Sequence, residues 1–171
     1  MIGRLLRLQL DAEVRVSHEV LTAVQEAPLD WRPHPASFRL GRLAMHVATI
    51  PGWTAAVART ATYDMGAGGP GPDVPASAAA ILEAHEAAIA RAHQVLDVMD
   101  EDAWLAEWTL LRDGHVIETM PRAEAVSRYV VRHLVHHRGQ LCVYLRECGI
   151  PLPPLYGDSA DRRLLPPDLT S

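Results

Sequence analysis

The chain has 171 residues, 49% of them hydrophobic and 22% charged, with a formal net charge of -5; that balance leaves no basic footprint for nucleic acid and no run near the roughly 18 apolar residues of a membrane span. All 16 cationic side chains are arginine, which excludes lysine Schiff-base chemistry and a P-loop lysine, and the lack of asparagine removes any N-glycosylation site. The length suits one domain over residues 1–171, with a core that needs no staples.

From Ile2 to about Glu26 the residues Leu6, Leu10, Val14, Leu21 and Val24 keep helical spacing, which predicts a first long helix. Arginines and acids interleaved through its first turns mark it as amphipathic and unlike a signal peptide. Pro28, Pro33 and Pro35 then make residues 31–37 a rigid extended loop. Ser37 is the expected N-cap of a second helix with Leu43, His46, Ile50 and Val57 facing inward, kinked at Pro51. Residues 64–76, rich in glycine and proline, read as a loop, and Ser77 as the cap of a third helix from 78 to about 100 whose stripe is Leu82, His85, Ile89, Leu96 and Met99.

Between Trp104 and Met120 the 3.6-residue period is lost. Two short runs flank Asp113-Gly114, a strong turn dipeptide, and predict a small β-hairpin. Residues 122–148 then form the last long helix, with Val126, Val130, Leu141, Tyr144 and Cys148 on one face together with His133 and His137. Gly149 is the expected C′ residue, and Pro151, Pro153 and Pro154 forbid continuation into the irregular tail. Cys142 and Cys148 lie six residues apart on that helix, about 9 Å along its axis and too far to pair, which points to a reduced, cytoplasmic protein. Together these elements predict an all-α fold: a four-helix bundle with a small β-hairpin or irregular insert before the last long helix.

Two imidazoles at i and i+4 sit one turn apart and can reach one ion, so His133 and His137 form a potential clamp that His46 completes across the bundle. A His₃ set leaves a fourth position open, the arrangement of catalytic zinc. The plainer alternative is three buried neutral imidazoles hydrogen-bonded within the core, each costing about 1–3 kcal/mol if left unpartnered. His85 reads as a satisfied core or pocket-lining histidine, with a fourth ligand as the alternative. His136 should face the helix border or a partner chain, and His18, His34, His93 and His115 the surface or loops. Arg138, beside a candidate ligand, should bridge an acid at the surface, with an anionic substrate as the alternative, and Trp53 and Tyr144 are candidate pocket walls.

The segment RHLVHHRGQLCVYLRECGIPLPPLYGDSAD resembles the C-terminal signature of the DinB/YfiT-like family, and WRPHPASFRLGRLAMHVATIPGW resembles its first-histidine segment. The resemblance implies a four-helix bundle, usually a homodimer, with a divalent metal held by His46, His133 and His137, zinc or nickel first among the ions imidazole suits. It further implies metal-dependent transfer of a low-molecular-weight thiol of the bacillithiol type to an electrophile, the open site lowering the thiol's pKa. The alternatives are a noncatalytic bundle tied together by its metal, which a fourth protein ligand would favour, and a metal-dependent hydrolase, which an inward acid near the metal would favour.

Overall fold

The computed structural model describes residues 1–67 and 74–164. Helix α1 (Ile2–Ala23) runs into a 3₁₀ turn at Val24–Glu26, α2 (Leu40–Thr49) passes through a 3₁₀ turn at Ile50–Gly52 into α3 (Trp53–Arg59), and strand β1 (Thr62–Asp64) follows. After α4 (Ala78–Leu96) and the short α5 (Glu101–Leu105) come β2 (Glu107–Arg112) and β3 (His115–Pro121). Helix α6 (Arg122–Val126), a π-helical turn at Ser127–Arg132 and α7 (His133–Glu147) form the last rod. The four rods, α1, α2–α3, α4 and α6–α7, make the expected helical bundle, and the strands are its insert.

The bundle closes around Leu10 and Leu21 of α1, Leu43 and Val47 of α2, Ile81 and Ala92 of α4, and Leu134, Leu141 and Leu145 of α7, all buried. Each such Val, Leu or Ile contributes about 1.5–3 kcal/mol on burial. Among the described residues no helix is long and apolar enough to cross a membrane.

Helix ends follow their local chemistry, with one correction. Ser77 Oγ accepts from the Ala80 amide at 3.2 Å and Asp100 Oδ1 from the Ala103 amide at 2.7 Å, so each caps its helix as a short polar side chain should. Ser37 does not: α2 starts three residues later at Leu40, and the Ser37 amide instead donates to the His34 carbonyl at 2.9 Å. Turns closed in this way, with Trp31 N donating to Pro28 O at 3.0 Å, replace the extended loop expected for residues 31–37. At the far end Gly149, at φ +74°, makes a Schellman close: its amide donates to Arg146 O and that of Ile150 to Leu145 O, both at 3.0 Å.

The hairpin turns at Asp113 and Gly114, whose φ values of 52° and 78° are those of a type I′ turn. Strand β1, which ends on the first residue of the predicted loop, is an addition to the sequence reading; it pairs parallel with β2, Thr62 opposite Thr109 and Asp64 opposite Leu111, making a three-stranded sheet in the order β1-β2-β3. Residues 68–73 of that loop lie outside the described residues. The Asp64 carboxylate pins the arrangement by accepting from the amides of Gly66, Asp113 and Gly114 at 2.8–2.9 Å. Gly66 packs so closely on Asp113 that a Cβ would sit 2.0 Å from its Oδ1.

Two stripes are rotated from their sequence reading. On α4 the buried set is Ile81, His85, Ala88, Ala92, Val95 and Leu96, which keeps His85 and Leu96 of the expected stripe but leaves Leu82 and Ile89 half-exposed, and the helix ends at Leu96 before Met99. On the last rod the π-helical turn, with its i→i+5 bonds, inserts extra arc between Val126 and Leu134. The buried line after it runs Leu134, Arg138, Leu141 and Leu145, leaving His133 and His137 at the margin of the core.

Candidate metal centre

That marginal position is what gives the histidines access to a cleft. His46 comes from the middle of α2, and His133 and His137 from the first turns of α7, the helix α2 packs against. The three rings meet with centroids 5.2 Å (His46–His133), 4.6 Å (His46–His137) and 4.5 Å (His133–His137) apart. One ring nitrogen from each lies within 4.8 Å of the others. Nitrogens on one tetrahedral ion sit about 3.3 Å apart, given bonds of roughly 2.05 Å, so the group lies within about 1.5 Å of the spacing one ion needs.

The rings are held for the purpose by their other nitrogens. His133 Nδ1 faces the Tyr129 carbonyl at 3.3 Å and His137 Nδ1 faces Gln140 Oε1 at 2.7 Å, both acceptors. Each partner therefore selects the Nδ1–H tautomer and leaves Nε2 with its lone pair free, the usual support for a ligating imidazole. Burial holds His46 down at about 4, helped by repulsion from His137, His133 and Arg42. Burial likewise brings His133 to about 4, and lowers His137. At neutral pH all three are uncharged, as metal ligands must be.

The structure separates these three from the other candidates. His85 is fully buried, with Nδ1 3.2 Å from the Ala48 carbonyl and Nε2 3.3 Å from that of Val14; burial lowers its pKa, so the neutral ring donates to one of these carbonyls, and it sits in the core as expected and outside the three-histidine group. No carboxylate joins the cluster among the described residues. His136 is exposed on the helix border, and His93, expected at the surface, is half-buried against Asp11 at 2.6 Å.

Arg138 bridges an acid as expected, but in the core and not at the surface. It is 1% exposed; Nη2 pairs with Glu13 Oε2 at 2.7 Å, Nη1 reaches the Glu13 carbonyl at 3.0 Å and Ser17 Oγ at 3.2 Å, and Tyr156 from the tail closes over it. Tyr156 also donates to Glu13 Oε2 at 2.6 Å. One buried guanidinium thus locks α1, α7 and the tail together, one residue from His137.

Beside the centre opens an apolar cleft of about 170 Å³. Ala56 and Val57 of α3, Tyr63 and Met65 at β1, and Trp108 and Leu110 of β2 form its sides, while His133 belongs both to its wall and to the metal cluster. Trp53 is shared too, its ring 5.2 Å from His133 and 5.5 Å from His46. Of the two aromatics expected at a pocket, Trp53 is there; Tyr144 instead meets Trp31 edge to face at 5.5 Å. Tyr63, Met65, Trp108 and Tyr129 escaped the sequence reading; the alternation of Trp108 and Leu110 on the hairpin was the available signal.

A model of the DinB family matches residues 9–163. The chain is 26% identical over 151 residues to the uncharacterized protein YrdA of Bacillus subtilis strain 168, covering 87% of this chain and 84% of that one. Among solved structures it superposes on a DinB-like protein from Bacillus cereus with a TM-score of 0.65 and 21% identity, over 85% of this chain and 92% of the other. The DinB-like protein YjoA from Bacillus subtilis gives the same TM-score at 16% identity, over 94% and 99% of the two chains.

Proposed function

Taking as premise that the chain belongs to the DinB family, we propose that it is a metal-dependent thiol S-transferase in which His46, His133 and His137 hold a divalent ion, zinc or nickel. The observation that carries the reading is three neutral imidazoles within 4.8 Å of one another, with neither a fourth protein ligand nor a carboxylate in the group among the described residues.

When bound, the ion supplies a Lewis acid that lowers the pKa of a thiol so that the thiolate is available near neutral pH. The chain's own residues do the rest. Three uncharged ligands leave the ion's double positive charge uncompensated, which favours an anionic ligand such as a thiolate in the open position. Tyr129 and Gln140 fix the tautomers, and Trp53 shields one side of the cluster from water. Among the described residues no acid joins the group, which disfavours hydrolysis by a ligated general base, and His85 lies outside it between two backbone carbonyls, which disfavours a closed structural site. The reading carries a low-molecular-weight thiol of the bacillithiol type and an electrophile as substrates, a homodimer as the assembly, and a cytoplasmic setting in keeping with two free cysteines.

Elemental analysis of protein purified without a metal-affinity column tests the centre: one ion per chain is expected, lost in a His46→Gln, His133→Gln, His137→Gln triple variant. Product formation from an electrophile that requires both thiol and metal tests the transfer. Metal retained by the triple variant, or turnover indifferent to thiol, defeats the reading.

A further inference from the structure

We propose that the cleft beside the three imidazoles binds the apolar body of the second substrate, a single ring of about benzyl size bearing the electrophilic carbon. This rests on the thiol-transfer reading for the word substrate, while the cleft and its occupant stand on the geometry.

Size comes first. An apolar cavity of about 150 Å³ accommodates benzene, so about 170 Å³ takes one ring with a methylene attached. Charge comes next. The lining holds no arginine, aspartate or glutamate. A low-molecular-weight thiol built on amino, carboxyl or sugar groups would lose hydration there at about 1–3 kcal/mol for each unpaired polar group, so its body lies outside and the apolar partner lies within.

Continuity fixes the orientation. The cleft shares His133 and Trp53 with the metal cluster, so a ring in the cleft with its reacting carbon turned to those two residues presents that carbon to the imidazoles. Trp108 is 3% exposed and its indole N–H has no partner among the described residues; an acceptor atom on the bound ring is one way to satisfy it. Tyr63 and Met65, 43% and 39% exposed, form the mouth. With a benzyl chloride the chemistry balances simply: the thiol sulfur bonds to the benzylic carbon, the carbon–chlorine bond breaks, chloride leaves with its electron pair, and the thiol proton passes to buffer.

The test is ¹⁹F NMR titration of 4-fluorotoluene into the full chain, metal-free and zinc-loaded. Saturable binding is expected in both forms, weakened about tenfold or more by Ala56→Leu, which fills the wall, and by Met65→Trp, which blocks the mouth without touching the core. Circular dichroism establishes that each variant is folded. No saturable binding, or unchanged binding in both folded variants, overturns the proposal. Conjugation of 4-fluorobenzyl chloride with thiol, run in parallel, isolates the other reading: ring binding without thiol transfer keeps the cleft and refutes the reaction.

Discussion

Replacing Glu13 by alanine should damage this protein more than any other single surface-facing change, because of what it leaves behind. Arg138 is 1% exposed and its counter-charge lies 2.7 Å away. At an effective dielectric constant of about 20 that attraction is about 6 kcal/mol, from which the cost of dehydrating both groups must be subtracted. Breaking such a pair from one side costs about 3–5 kcal/mol, and since the Glu13 side chain keeps 16% of its exposure we take the lower end, about 3 kcal/mol. For a chain of 171 residues that is a fall in Tm of about 6–12 °C by scanning calorimetry of the metal-free protein. Tyr156 loses its acceptor as well, so the tail should gain amide exchange. The double variant Glu13→Leu, Arg138→Met removes both charges and should recover most of the loss, since an apolar pair of similar volume is often neutral. A Tm change below about 2 °C in Glu13→Ala, or a double variant as unstable as the single, would refute the argument that an uncompensated buried guanidinium is what matters.

Three further outcomes follow from the same structure. His46 and His133 sit at about 4 in the fold against 6.5 when free, so between those values the unfolded chain binds protons that the folded chain does not. Stability of the metal-free protein should therefore fall as pH drops from about 6.5 to about 4 and be insensitive to these groups above it; the His46→Gln, His133→Gln double variant should show a shallower fall in Tm across that window. Gly3→Ala should cost about 1–2 kcal/mol by urea denaturation, because the added Cβ would lie 2.9 Å from the Leu96 carbonyl oxygen and 3.0 Å from Trp104 Nε1, and backbone cannot swing aside as a flexible side chain can. A neutral or stabilising Gly3→Ala would mean α1 and the end of α4 pack more loosely than described. Asp64→Ala strips three amides of their acceptor, so hydrogen exchange at Asp113 and Gly114 should speed up while the helical core stays protected; unchanged exchange there would show that the type I′ turn holds itself.

Much of this was legible because helices announce themselves locally. A spacing of four residues puts His133 and His137 on one face whatever surrounds them, and the period around His46 sends it inward from the second rod. The Asp113-Gly114 dipeptide needs positive φ and so names its own turn. What escaped depends on partners distant in sequence. Sequence puts Arg138 at the surface because arginine ordinarily belongs there, and its partner Glu13 lies 125 residues away. Three residues of β1 form a strand only because β2, some 45 residues on, offers a parallel edge, and so the cleft wall they carry was invisible. The π-helical turn likewise has no side-chain signature in Ser127–Arg132, and missing it placed the histidines in the core and not at its edge.

That turn has a consequence for how the last rod tolerates change. Successive residues of an α-helix advance by about 100°, so a deletion within α7 between His133 and His137 would swing one imidazole away from the other, whereas deleting one of residues 127–132 and restoring regular winding would leave both aimed nearly as they are relative to α6, because the wider turn holds its extra residue over about the same rotation. The extra residue acts as a spacer with slack on one side alone: length and twist can drift upstream in the sheet insert while the aim of both imidazoles stays set by their own packing against α1 and α2.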